Sequence, residues 1–280
     1  MADFDPVRFK EQEKAGFNMV ADRYEAAMEL LAPVTTHMIK LAKLKPGQKI
    51  LDVATGPGIL ARIAARAVGT SGEVVGIDIA EAALEVARQK AAAENLSQVS
   101  FEEADAENLY FGNDRFDVVF CSMGLMHFPV PEKALEQALS VLKPGGRLIA
   151  SVWGKEEDAP FIGVALTTLN KHFGKPKVER PSMFRFGHEA ILRKLVADAG
   201  FADVDTHTIK VEASFDDAPS YWQRFLDAAG ITAVALAKQT PEVNAKLVKD
   251  VETDLATYKH ENGYKLVSSI TLVSAIKRPL

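Results

Sequence analysis

The sequence predicts an α/β protein built on a largely parallel sheet with helices on both faces. Three observations predict it. Short apolar runs alternate with helical segments from Lys49 to Trp153, the pattern of repeated strand–helix–strand units. The run Lys49–Ala54 breaks into a glycine-containing turn, Thr55-Gly56-Pro57-Gly58, that opens directly into a helix. A second run, Glu73–Ile77, ends on an acidic residue, Asp78.

The elements follow in order. Residues 7 to 44 read as helices, with Pro33 opening a second one that runs to about Leu44, and Lys45-Pro46-Gly47-Gln48 is a turn. Strand one, Lys49–Ala54, is followed by a helix from Ile59 to Val68. Strand two, Glu73–Ile77, is followed by a helix over Glu81–Glu94. Strand three is Val99–Glu103 and strand four Phe116–Cys121. A helix from Pro131 to Val141 leads into strand five, Gly146–Trp153. Beyond it, His188–Ala199 reads as a helix closed by Gly200, and Ala202–Ala213 and Leu266–Lys277 as strands six and seven. Two insertions, about 157–187 and 217–262, leave the side of the sheet where ligands bind. The second carries amphipathic helices over Pro219–Gly230 and Pro241–Tyr258. Both are expected to form a helical cap within a domain spanning 46–280, with residues 1–45 covering the cofactor site.

The turn after strand one selects the ligand. Glycines there let backbone approach a bound group, and an acidic residue ending strand two suits a ribose diol. A third dinucleotide-motif glycine is absent, as is a phosphate-binding G-x-x-x-x-G-K-[ST] loop. Asp52 precedes the turn, where it would repel a pyrophosphate and attract a cation. The chain here resembles the class I S-adenosylmethionine (SAM)-dependent methyltransferases. The resemblance rests on Asp52–Gly58, Asp78, Ala104-Asp105-Ala106, Phe116-Asp117-Val118-Val119-Phe120 and Leu142-Lys143-Pro144-Gly145-Gly146. It covers roughly residues 18 to 155, with its five motifs in the family's order. Ala54 stands where the family's D-x-G-x-G has glycine. The resemblance implies a Rossmann-like sheet of order 3-2-1-4-5-7-6 with strand seven antiparallel. It also implies SAM as cofactor and a first half most like ubiquinone/menaquinone-type enzymes.

The same resemblance places the cofactor on Asp52, Ala54, Thr55, Gly56 and Gly58. Asp78 meets the ribose while also capping the next helix, and Ile79 flanks the adenine. Asp105 and the Ala106 amide meet the adenine edge, and Tyr24 reaches the cofactor carboxylate. Cys121 and Ser122, leaving strand four, are expected beside the methionine moiety. This loop lacks the Asn/Asp-Pro-Pro-aromatic element of base-amino methyltransferases. His127 is the candidate general base, because an unperturbed imidazole titrates near neutrality. Met123, Trp153, Phe161, Tyr221, Trp222 and Phe225 are assigned to a substrate pocket, with Leu226, Phe173, Phe184 and Phe186 as further apolar candidates beneath the cap. Arg62 and Arg66 are expected to be solvated, Asp117 to be structural and His188 to start its helix.

Composition bounds the rest. The 280 residues carry a formal charge of -5, 48% hydrophobic residues and 25% charged ones. This is an ordinary globular balance without the basic excess of nucleic-acid binders. One cysteine, Cys121, excludes an intrachain disulfide and a cysteine-rich zinc site, and no ligand-spaced cluster implies a metal. No apolar run is long enough for a membrane span, and the acidic start Met1–Pro6 is no secretory signal, so a cytoplasmic protein is expected. The reading is a methyltransferase for a small, partly apolar acceptor, aromatic or quinone-like. The long cap departs from the plain quinone enzyme and leaves O-, N- and C-methylation open. The alternative from another class is a non-catalytic SAM-binding sensor or scaffold; methylation of protein or RNA is disfavoured by the charge and the cap.

Overall fold

The computed structural model describes residues 4–174 and 180–279. Its N-terminal helices are α1 (Pro6–Val20), α2 (Tyr24–Ala27) and α3 (Ala32–Ala42). The alternating region follows as β1 (Lys49–Val53), α4 (Ile59–Val68), β2 (Glu73–Asp78), α5 (Glu81–Ala93), β3 (Val99–Glu103), β4 (Phe116–Ser122), α6 (Pro131–Val141) and β5 (Leu142–Trp153). The C-terminal part comprises α7 (Pro160–Phe173), α8 (Glu189–Asp198), β6 (Ala202–Phe215), α9 (Ala218–Ala228), α10 (Gly230–Leu236), α11 (Pro241–Asp254), β7 (Lys259–His260) and β8 (Gly263–Ile276).

The strands lie in the order β3-β2-β1-β4-β5-β8-β6. Strands β1 to β5 are parallel, and β8 runs antiparallel between β5 and β6. This is the expected Rossmann-like order, with one correction: the sheet has eight strands, because the two-residue β7 makes a hairpin with the start of β8. Lys259 and His260 are both exposed, so no apolar alternation marked them. Strands β1 and β2 are buried along almost their whole length, as strands covered on both faces must be. Edge strand β6 alternates between exposed and covered positions. The chain leaves β1 toward β2 on one side and β4 adjoins it on the other. The C-terminal ends of β1 and β4 therefore flank the point where strand order reverses, the usual crevice for a ligand in such sheets.

Several bounds differ locally. The helical stretch 7–44 is broken at Ala21–Arg23 and again near Met28. Helix α10 was not expected: Gly-Ile-Thr-Ala-Val-Ala-Leu has glycine and β-branched residues and no capping side chain. It is helical because it packs along α1. There Gly16 and Gly230 bring the two backbones together; a methyl on Gly230 would sit 2.4 Å from the Gly16 carbonyl carbon. Helix α11 packs on α7 and α9, joining the two insertions. Residues 175–179 of the first insertion, and 1–3 of the acidic start, lie outside the described residues.

Candidate active site

The turn after β1 is fixed by hydrogen bonds that run through two carboxylates. The Thr55 hydroxyl donates to Asp52 Oδ2 at 2.7 Å, and the Gly56 amide to Asp78 Oδ2 at 2.9 Å. The Ala80 amide donates to Asp78 Oδ1 at 2.9 Å, so Asp78 ties the start of α5 to the turn of β1. Gly56 and Gly58 both have positive φ, 53° and 77°, and so does Ala54, at 55°. A side chain at Gly58 would also come within 2.8 Å of Ala87 and Phe101. Gly58 thus serves helix packing, whereas nothing lies where a Gly56 side chain would go.

A cavity of about 660 Å³ opens above this turn. It is lined by Tyr24, Asp52, Ala54, Thr55, Gly56, Asp78, Ile79, Asp105, Ala106, Ser122, Met123 and His127, bringing together most of the side chains expected from the sequence. Two expected cofactor residues are not in its wall: Gly58 sits beneath it, and Cys121 is buried against the Gly124 backbone.

The expected substrate aromatics require a correction. Trp153, Phe161, Tyr221, Trp222 and Phe225 line neither this cavity nor a second of about 460 Å³ beside Pro160 and Tyr258. They are core. Trp153 stacks on Phe161 at 6.0 Å, and Trp222 on Phe225 at 5.5 Å. The Tyr221 hydroxyl donates to the Phe161 carbonyl at 2.9 Å and accepts from the Ala165 amide at 3.0 Å. Phe184 and Phe186 also pack around the core, while Phe173 is half-exposed. A helical spacing of aromatics is the same for a core as for a pocket, and here the two insertions use it to fasten themselves to the sheet.

The cavity's remaining walls come from the N-terminal helices and the loop after β4. Glu13 and Phe17 of α1, Met28 and Leu31 beyond α2, Thr35 of α3 and Phe128 all face it. Glu13 is buried, and its Oε2 lies 2.8 Å from His127 Nδ1. Phe17 packs edge-on against both His127 and Tyr24. Lys10 spans to Asp105 at 2.6 Å and Glu107 at 2.7 Å, fastening α1 over one end. Arg185, from the first insertion, donates to the carbonyls of Leu125, Met126 and Phe128 and so holds the loop bearing His127. Arg62 is not solvated as expected: it is buried, pairing with both carboxylate oxygens of Glu25 and with Glu94. Arg66 is exposed. Asp117 accepts from the Lys49 amide and from Lys143, a structural role. His188 sits at the start of α8.

Electrostatics single out Asp52. Burial pushes its carboxyl up to about 7, against the partial relief of the Thr55 hydroxyl and the nearby Ala61 amide, and Asp78 adds to the rise. Its Oδ1 is buried with no hydrogen-bond partner. An isolated buried carboxylate oxygen in a cavity wall calls for a cation. Burial also raises Asp78, opposed by the amides of Ala80, Gly56 and Ile79. Burial, then the charge of Asp78, raises Tyr24 and keeps it a neutral hydrogen-bonding phenol. An ammonium and sulfonium near Asp52 and a ribose diol at Asp78 would fit this donor set: an ammonium would satisfy the free oxygen, and the Asp78 carboxylate has lone pairs beyond its two amide bonds.

A family model described as a methyltransferase domain matches residues 44–190. The chain belongs to the class I SAM-dependent methyltransferases, and SAM is its cofactor. It is 33% identical over 211 residues to the ubiquinone/menaquinone biosynthesis C-methyltransferase UbiE of Ectopseudomonas mendocina, covering 69% of this chain and 82% of that one. Among solved structures it is similar to a methyltransferase from Bacillus halodurans (TM-score 0.63, 23% identity, 88% of this chain and all of that one). It is also similar to the Haemonchus contortus phosphoethanolamine N-methyltransferase 2, solved with phosphomonomethylethanolamine and S-adenosylhomocysteine (0.59, 18%, 94% and 61%). The [4+2]-cyclase SpnF shares the fold as well (0.58, 22%, 89% and 81%). Among the described residues no helix is long and apolar enough to cross a membrane, and no group of three or more His, Cys, Asp or Glu could hold a metal.

Glu13, Lys10, Phe17 and Arg185 were not anticipated as site residues. A signal for Glu13 existed: the buried face of α1 is Phe9, Glu13, Gly16 and Val20, a helical stripe with a carboxylate where an apolar residue belongs.

Proposed function

We propose that the enzyme methylates a small, partly apolar acceptor, aromatic or quinone-like, with His127 as proton acceptor. The observation that carries this is the composition of the cavity above the β1 turn. Its wall combines the Asp52 and Asp78 carboxylates with the apolar side chains of Phe17, Met28, Leu31, Met123 and Phe128 and with His127. The UbiE relatives support a quinone-related acceptor. When bound, SAM supplies a methyl group already activated on its sulfonium. The chain's own task is to align and to exclude water. Proximity and orientation are worth roughly 7–11 kcal/mol in favourable cases. Asp52 and Asp78 would hold polar groups of the cofactor, Tyr24 and Phe17 pack edge-on in the same wall, and the His127 loop is clamped by Arg185. His127 Nε2 makes no hydrogen bond to the described residues and is the ring nitrogen left for the acceptor.

The test is methyl transfer from labelled SAM to a panel of hydroquinones, phenols and aromatic amines, beside calorimetric titration with S-adenosylhomocysteine, NAD and ATP. Binding of S-adenosylhomocysteine alone, with label entering an apolar ring acceptor, is the expected result. Binding without transfer to any acceptor would favour a SAM-binding sensor or scaffold.

A further inference from the structure

Resting on that methyl-transfer reading, we propose that Glu13 is a positioning residue that fixes the tautomer of His127, and that the acceptor is therefore one whose nucleophile carries a removable proton. Glu13 is buried, 7% exposed, with Oε2 2.8 Å from His127 Nδ1. An ionised carboxylate only accepts hydrogen bonds, so Nδ1 must carry the proton and Nε2 presents its lone pair. Phe17 lies edge-on at 5.2 Å and limits rotation of the ring. The carboxylate then balances the positive charge when the imidazole takes a proton, the logic of a base held by a third group. A buried carboxylate on the apolar stripe of α1 has no other ion-pair partner among the described residues.

The two halves of the pair come from distant parts of the chain. His127 is on the loop after β4, held by Arg185. Glu13 is on α1, held by Lys10 to Asp105 and Glu107 and by Asn18, which accepts from the Ala82 amide at 2.9 Å. The base is therefore complete only when α1 is seated over the cavity.

The step balances simply. A proton passes from an acceptor O–H or N–H to His127 Nε2, and the electron pair stays on oxygen or nitrogen. That pair forms the new bond to the methyl carbon, and the carbon–sulfur pair returns to sulfur. If a phenol's ring carbon takes the methyl instead, the same deprotonation makes the carbon nucleophilic and the ring proton then leaves to water. A thioether or tertiary amine has no proton to give and gains nothing from the pair.

Long-range ¹⁵N–¹H NMR of the full chain bound to S-adenosylhomocysteine, with His127 assigned from His127→Gln, tests the positioning. The wild type is expected to show Nδ1 protonated and Nε2 bare. Glu13→Leu is expected to relax to a mixture of tautomers, while Lys14→Ala, which removes only the neighbouring exposed Lys14–Glu103 pair, is expected to keep the wild-type pattern. An Nε2-protonated wild type, an unchanged Glu13→Leu spectrum, or the same change in Lys14→Ala would overturn the assignment. The acceptor class is read with 2-methoxyhydroquinone and 2-methoxyaniline against thioanisole and N,N-dimethylaniline. Label is expected only in the first two, with kcat/KM lowered roughly 10²-fold or more by Glu13→Leu and KM little changed. Label in the aprotic pair, or none in either protic acceptor, overturns the proposal. The cofactor reading fails separately, by absence of S-adenosylhomocysteine binding in the calorimeter.

Discussion

Replacing Asp52 with asparagine separates what this residue costs the fold from what it gives the cofactor. Burial raises its carboxyl from 3.8 to about 7. At 1.36 kcal/mol per unit, that places a penalty of about 4 kcal/mol on the folded state wherever the group is ionised. A group with a raised folded value is most favourable to stability below its unfolded value. That advantage is lost as pH rises through the folded one, so the penalty grows from pH 3.8 to about 7 and is then constant. Asparagine keeps an acceptor for the Thr55 hydroxyl but does not titrate. In the unliganded protein the stability of Asp52→Asn relative to wild type should therefore climb by about 2–3 kcal/mol between pH 5 and pH 8, read as a differential melting shift of roughly 5–10 °C. An orphaned amide costs about 1–3 kcal/mol at every pH, which offsets the absolute gain without changing the slope. Binding moves the other way. Losing a charged hydrogen bond of about 1.5–3 kcal/mol should weaken S-adenosylhomocysteine about 10–150-fold by calorimetry at pH 8. A pH-independent gap, or a dissociation constant within threefold of wild type, would refute the claim that the free Oδ1 awaits the cofactor's ammonium.

Four further outcomes follow from particular contacts. Ala54→Gly should stabilise the protein by about 0.5–1 kcal/mol by chemical denaturation, because Ala54 sits at φ 55° and the left-handed cost of about 1–2 kcal/mol exceeds the entropy glycine adds to the unfolded chain. Tyr221→Phe should cost about 1–3 kcal/mol, since the Phe161 carbonyl and the Ala165 amide lose their buried partner, yet leave S-adenosylhomocysteine affinity within twofold. Burial, then the charge of Asp52, pushes the Cys121 thiol up to about 12, so iodoacetamide at pH 8 should label it only after denaturation. Gly230→Ala should weaken cofactor binding although Gly230 lines neither of the two cavities described, because its methyl would collide with the Gly16 backbone and lift α1; unchanged affinity would mean that α1 needs no support from α10.

The sheet was legible because its signals are local. A strand covered on both faces reads as an apolar run, and α4 and α6 begin and end where composition changes, at Gly58–Gly69 and Pro131–Leu142. The cofactor turn was legible for the same reason: Asp52 to Gly58 and Asp78 are read within single strand–turn units. What could not be read depends on contacts remote in sequence. The Glu13–His127 pair is 114 residues apart, and the buried Arg62 finds its partners in Glu25 of α2 and in Glu94, the C-terminal cap of α5. The aromatics of α7 and α9 showed amphipathic spacing correctly. Spacing gives the buried side of a helix and not whether that side meets a core or an empty volume.

That last distinction changes where acceptor selectivity is encoded. A cap holding an aromatic pocket would make the insertions the specificity element. With those aromatics spent on the core, Phe17, Met28 and Leu31 of the first 45 residues share the cavity's apolar wall with Met123 and Phe128 of the loop after β4. The insertions act at one remove. Helix α10 sets the height of α1 through the Gly16–Gly230 crossing, and Arg185 sets the loop that carries His127. Substitutions at Met28 or Leu31 should therefore change which acceptor is used, by changing the wall it touches. Substitutions in the insertions should change cofactor affinity and rate for every acceptor alike, by shifting how α1 and the His127 loop meet.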